Sequence, residues 1–360
     1  MTSRKTLYTA GGLGLALVGR GVLSRVRAAD LHRQVAVVTG GSRGLGLLLA
    51  REFARQGCRV VICARDEAEL TRAREYLERE AAGVEVLTVV CDVSDRAQVE
   101  RLISAATARF GQVDILVNNA GIITVGPIQN MTLDDFENSM DIIYWGGVYA
   151  TLAVLPSMLE RGAGRIVNIG SVGGKVSVPH LLPYSAAKFA AVGFSEGLRA
   201  ELAGTGVTVT TIAPGLMRTG SPLNAFFAGR QEGEFAWFAA GDSLAFVSMD
   251  AERAARQIVA AARRGQAEKI LSLPALLISL FHGVFPGTTS NLLGLVNRLI
   301  LPKPTGEGAA LKRGMDVREG MDSRLFDAIL TWTTKAAARF NEHPGPLDAP
   351  AQGAHAERHT

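Results

Sequence analysis

A chain of 360 residues, 48% hydrophobic and 20% charged, has the apolar mass for a large core and excludes a disordered polyelectrolyte. The whole net charge of +4 resides in residues 1–30, where Arg4, Lys5, Arg20, Arg25 and Arg27 face Asp30 alone, so the body is neutral and lacks the basic face of a nucleic-acid binder. Cys58, Cys63 and Cys91 are odd in number, match no zinc spacing and sit in or beside apolar runs; they fit reduced thiols, with no disulfide framework and no metal site.

Residues 6–19 are 14 uncharged, Gly-rich residues, too few to span a bilayer comfortably. With the basic residues around them, the 1–30 lead is expected to lie on an anionic membrane surface, a cleaved leader being the other reading. Beyond it, the runs 35–38, 59–64, 85–91, 113–118, 165–169 and 207–212 are rich in Val and Ile and nearly continuous. That pattern predicts parallel strands buried on both faces. Helical patterns fill the intervals at 45–56, 67–80, 96–110, 133–159 and 185–203. The alternation predicts an α/β protein with a Rossmann-type doubly wound parallel sheet, ligand-binding at the carboxyl ends of its strands. A single catalytic domain is expected over 31–275, with extensions on both sides. Residues 276–340 form an apolar and helical C-terminal extension, and 341–360 a disordered tail rich in Pro, Gly, Ala and His. The stretch 270–297 is uncharged but broken by Pro274, Gly283, Pro286 and Gly287. It reads equally as a lid dipping into lipid or as a buried lid or oligomer contact.

The first predicted strand runs into Thr39-Gly40-Gly41-Ser42-Arg43-Gly44-Leu45-Gly46, and a helix follows. Glycines permit the tight turn and let backbone approach a pyrophosphate, whose charge faces the free N–H groups of the helix. The second strand ends at Ala64-Arg65, where an NAD-binding version carries an acid for the ribose hydroxyls. Arg65, with Arg43 from the turn, suits a 2′-phosphate. NADP(H) is therefore the expected cofactor. Asp66 and Glu67 come one step later and open the next helix, where acids are favoured.

Of the five tyrosines, only Tyr184 has a lysine, Lys188, four residues on. On a helix the two share a face, and an ammonium there is expected to lower the phenol from about 10 and fit it for proton transfer. Ser171 ends the 165–169 strand at the same edge, placed to hold a substrate carbonyl oxygen.

In this order Thr39–Gly46, Asp92, Asn118-Asn119-Ala120-Gly121, Ser171, Tyr184/Lys188 and Pro214-Gly215 resemble the short-chain dehydrogenase/reductase family over about residues 31–270. The resemblance implies a hydride-transferring oxidoreductase acting on an alcohol/carbonyl pair. Tyr184, Ser171 and Lys188 would be its catalytic residues. It also implies a set of cofactor contacts. Gly40, Ser42, Arg43, Gly44, Leu45 and Gly46 would meet the phosphates, Arg65 the adenosine ribose, and Asp92 the adenine with Val93 beside it. Asn119, Ala120 and Gly121 would line the cofactor, Pro214, Gly215 and Thr219 would close over the nicotinamide, and Lys188 would bind its ribose next to Tyr184.

One departure stands out. Seven residues after Phe136, where the family commonly has a catalytic Asn, stands Ile143. Its side chain has no amide to offer a proton relay, but the main-chain carbonyl remains and Gly146-Gly147 lies just beyond. A working, slower proton path is expected; an NADP(H)-binding sensor or scaffold without turnover stays open as the alternative. Phe226, Phe227, Phe235, Trp237, Phe238 and Phe246 concentrate rings after Thr219, which fits a small apolar substrate such as a steroid, retinoid or long-chain carbonyl, or equally packing or a subunit interface. A homo-oligomer in the cytoplasm is expected, associated with the inner face of the membrane.

Overall fold

A computed structural model describes residues 28–243, 248–305, 310–321 and 339–342. The predicted lead at 1–27, Phe246 and most of the tail lie outside the described residues.

Seven parallel strands form the central sheet: β1 (Val35–Thr39), β2 (Arg59–Ala64), β3 (Val86–Val90), β4 (Ile115–Asn118), β5 (Gly164–Ile169), β6 (Val207–Ala213) and β7 (Glu268–Ile270). Their order is β3-β2-β1-β4-β5-β6-β7, so the doubly wound sheet expected from the sequence is what forms. The continuous apolar runs have a direct cause. Along β1, Ala36 and Val38 join a core on one face while Val35 and Val37 join a second core on the other. Both registers of β1 are therefore dry. β7 has no such run; it is a short edge strand paired only with β6.

Helices that cover the faces include α1 (Gly44–Arg55), α2 (Glu67–Glu80), α3 (Arg96–Phe110), α4 (Leu133–Met140), α5 (Gly146–Arg161) and α6 (Leu182–Glu201). Asp66 accepts a hydrogen bond from the Glu69 N–H and caps α2, as its place before a helix requires. The predicted helix over 133–159 is continuous but not uniform. A π turn at Asp141–Trp145 joins α4 to α5. Leu133–Arg161 is also the one described helix long and apolar enough to cross a membrane, yet Ile142, Ala150, Val154 and Met158 on it are core residues of the sheet.

After β6 the chain forms α7 (Gln231–Ser243) and α8 (Ala251–Arg263), then β7, then a hairpin of α9 (Leu273–Val284) and α10 (Pro286–Leu299). The prolines that break the 270–297 stretch start these two helices: Pro274 and Pro286 each sit in a first turn. Leu273, Leu277, Leu280, Val284, Leu292, Leu295 and Leu299 on the hairpin are exposed, whereas Ala275 and Thr289 alone are buried in it. Ser272 caps α9, and its Oγ packs so close to Gly215 that a Cβ there would stand 2.6 Å away.

The C-terminal end differs from its sequence reading. Asn341 and Glu342, assigned to the disordered tail, are held against α1 and α2, and Phe340 is part of the core.

Candidate active site

The carboxyl ends of β1 and β4 bound the crevice at the switch point of strand order, where a doubly wound sheet takes its ligand. Thr39 ends β1 and Asn118 ends β4. Their continuations are tied together. Asn119 donates its side-chain amide to the carbonyls of Thr39 (2.9 Å) and Gly40 (3.1 Å), and Thr39 Oγ1 accepts the N–H groups of Asn119 (3.0 Å) and Ala120 (3.1 Å). Gly40 adopts φ 62° and Gly44 φ 55°, both left-handed. A Cβ on Gly46 would stand 2.1 Å from the Gly40 carbonyl oxygen, so only glycine lets α1 start this close to the turn.

A cavity of about 340 Å³ opens from this turn. Gly40, Ser42, Arg43, Gly44, Leu45, Gly46, Arg65, Asp92, Val93, Asn119, Ala120, Gly121, Ser171, Tyr184, Lys188, Pro214, Gly215 and Thr219 all border it. Every site residue chosen from the sequence is thus brought to one cavity. The fit to a dinucleotide is chemical as well as spatial. Glycine backbone and a helix N-terminus form one wall, and three guanidinium groups, Arg43, Arg65 and Arg313, border the same space. Such a ligand would bring hydride chemistry to the Tyr184 end.

At that end, Ser171 caps the turn after β5 by accepting the Gly173 N–H (2.9 Å) and also hydrogen-bonds Tyr184. Lys188 is buried and donates Nζ to the Ile169 carbonyl at 2.7 Å, with Nζ 5.7 Å from the Tyr184 ring centre. The expected lowering of the Tyr184 pKa is not found. Burial raises it, and the Ser171 hydrogen bond offsets this only in part. The same burial pushes the Lys188 ammonium down to about 8. Desolvation wins because the two groups share one dry wall, so each loses more hydration than the other restores.

Ile143 falls inside the π turn and is buried. A void of about 20 Å³ lies beside it, bordered by Asn118, Gly147 and Asn168, which is room for one water. Asn118 Oδ1 is buried there without a hydrogen-bond partner, while its Nδ2 donates to Asn168 Oδ1 at 2.8 Å. The departure at Ile143 therefore leaves both an acceptor and a space.

Of the ring cluster after Thr219, Phe227, Phe235 and Phe238 pack with Val125, Leu181 and Val317 in a separate small core. Of the five described rings, Phe226 borders the cavity. Four residues were not foreseen from the sequence. Glu69 reaches back from α2 to take Ser42 Oγ (2.9 Å) and Arg43 Nη1 (2.9 Å). Asn224, Arg313 and Glu342 arrive from the C-terminal half. No local motif marks them. Arg65 stays more than half exposed, its nearest acid Asp92 at 4.0 Å.

Residues 34–225 match the model of the family described as short chain dehydrogenase. The chain is 43% identical over 193 residues, 53% of its own length and 73% of the other's, to a putative ketoacyl reductase of Streptomyces coelicolor. It superposes on a short-chain dehydrogenase from Streptomyces avermitilis with a TM-score of 0.64 and 29% identity, covering 74% of this chain and 98% of that one. An actinorhodin polyketide ketoreductase solved with NADPH gives a TM-score of 0.58 at 32% identity, over 66% of this chain and 95% of its own.

Proposed function

The chain belongs to the short-chain dehydrogenase family, an oxidoreductase family, and from that premise we propose that it transfers a hydride between NADP(H) and the alcohol/carbonyl pair of an apolar substrate. The observation that carries this reading is the meeting of Ser171, Tyr184 and Lys188 at one end of the cavity that begins at the Gly-rich turn.

The division of labour follows from the geometry. With its pKa raised by burial, Tyr184 keeps its proton at neutral pH and is the group that hands it to a carbonyl oxygen. Ser171, beside Tyr184 on the cavity wall, offers its hydroxyl to the same oxygen. Lys188 is pinned by the Ile169 carbonyl beneath the phenol, where its charge favours the phenolate left behind. The dinucleotide supplies the hydride; the chain orients it and moves the proton.

Preference for the 2′-phosphorylated cofactor is supported by Arg65, more than half exposed with its nearest carboxylate, Asp92, at 4.0 Å, and by Ala64 in the place of an acid. The NADPH in the actinorhodin ketoreductase structure points the same way. An apolar substrate is supported by Ile122, Ile123, Met217 and Phe226 on the cavity wall. Peripheral membrane contact is supported by the exposed leucines of the α9–α10 hairpin, a patch far larger than scattered surface apolar residues make.

Four outcomes test the reading. Tyr184→Phe should lower kcat by at least about 100-fold while the Kd for NADPH stays close to wild type; retention of a tenth of the activity would refute the assignment. Carbonyl reduction needs both the phenol proton and the Lys188 ammonium. The kcat profile should therefore be flat below about pH 7, reach half near pH 8 and keep falling above it as Lys188, whose pKa is about 8, loses its proton. A rate that climbs through pH 9 contradicts this. Arg65→Asp should weaken NADPH by about 10- to 100-fold and NADH much less; equal losses for both would remove the phosphate role. Finally, the protein should co-sediment with phosphatidylserine vesicles at low salt, and Leu280→Asp with Val284→Asp should release it. Wild-type protein wholly in the supernatant sinks the membrane reading.

A further inference from the structure

Two pieces of chain beyond the family-matched residues 34–225 return to the cavity. The first brings Arg313, which lies on a short strand paired with Phe226–Phe227. The second is Arg339–Glu342. Arg339 pairs with Glu252 on α8 at 2.7 Å. The Phe340 carbonyl accepts the Gly44 N–H at 2.9 Å, taking the first donor of α1, for which Arg43 provides no side-chain cap. Asn341, at φ 57°, donates its amide to the carbonyls of Ser42 (2.8 Å) and Glu69 (3.0 Å) and accepts from Arg72 Nε (2.9 Å). These anchors aim the next side chain. A Cβ on Gly44 would stand 2.7 Å from Glu342 Oε1, and the same carboxyl hydrogen-bonds Asn224 and the Gly220 backbone on the far wall. Glu342 thus bridges the helix N-terminus and the loop after Thr219, and it is only 3% exposed.

A glycine turn ahead of a helix is built to hold an anion. Here the chain itself fills it, and fills it poorly. Glu342 Oε1 is buried without a hydrogen-bond partner. Desolvation pushes its carboxyl up to about 8, so near neutral pH the seat holds mostly a neutral acid. Arg313 shows the same unmet demand from the other side. It is buried, its Nε has no partner, and burial first, then the guanidinium charge of Arg43, depresses it, with Glu69 and Asp316 opposing. Its Nη2 reaches only the neutral amide of Asn224. A diphosphate, with fixed charge and more acceptor oxygens, meets these donors better than one carboxyl can.

We propose that Arg339–Glu342 is a built-in competitor of the dinucleotide: Glu342 occupies the seat of the diphosphate, and the cofactor binds by displacing it and taking up the donors of Gly44, Arg43 and Arg313. This rests on reading the cavity as a dinucleotide site. A competitor that closes the site nine-tenths of the time weakens apparent affinity about tenfold, or about 1.4 kcal/mol.

The test is calorimetric titration of NADPH into the full chain, Glu342→Ala and a chain ending at residue 338, each checked for folding by circular dichroism. Glu342→Ala leaves Phe340 in the core, so it guards against a shortened chain that merely fails to fold. Both variants should bind NADPH about tenfold more tightly than wild type. Hydrogen exchange of the wild-type segment 339–342 should speed up when NADPH is added. Equal or weaker binding by folded Glu342→Ala overturns the proposal, as does protection of the segment by NADPH. In those cases wild type still binds the dinucleotide, and the reading of the cavity survives. Binding by the variants alone supports the competitor in its extreme form. Binding by none of the three overturns the dinucleotide reading and this proposal with it.

Discussion

The clasp between Thr39 and Asn119 is the constraint on which the site depends. Four hydrogen bonds from two side chains hold the turn after β1 against the turn after β4. Each contributes only about 0.5–1.5 kcal/mol net, but losing one partner strands buried amides at a larger cost. The edge continues through a second chain of buried polar groups. Asn118 bonds Asn168 on β5, Asn168 bonds Ser195 on α6 at 2.9 Å, and Ser195 meets Thr211 on β6 at 2.7 Å. Four neighbouring strands are thereby locked in register at the end where the ligand lies, and α6, which carries Tyr184 and Lys188, is locked with them. Networks of this kind favour one arrangement because each lost bond leaves an orphan in low dielectric, as Asn118 Oδ1 already is.

What was legible in the sequence was whatever is local. A strand between two cores is mostly apolar along its length, so six strands announced themselves. β7, with Glu268 and Lys269 in three residues, carries no such signal and forms because β6 offers it an edge. Tyr184 and Lys188 are legible because a helix fixes what four residues apart means. The π turn at Asp141–Trp145 is not, because one extra residue in a turn leaves the hydrophobic pattern on either side intact.

The charges of the site show where local reading stops. Arg43 borders the cavity, but its partner Glu69 lies 26 residues on and meets it only through the packing of α2. Arg313 and Glu342 come from still farther, and nothing near them in sequence marks a ligand. The sign of the Tyr184 shift failed for a related reason. Spacing reveals a neighbouring charge but not how much water the fold removes, and here burial raises the phenol and lowers the amine together. The rings after Thr219 divide likewise, most of them going to a satellite core and one to the cavity.

The tight seat of Ser272 on Gly215 has a mechanical meaning. With no space for even a methyl group between them, the first turn of α9 packs directly on the loop after β6. That contact seats the hairpin, with its exposed leucines, on the same loop whose Pro214 and Gly215 border the cavity. Any side chain larger than glycine at 215 would therefore have to displace one of the two.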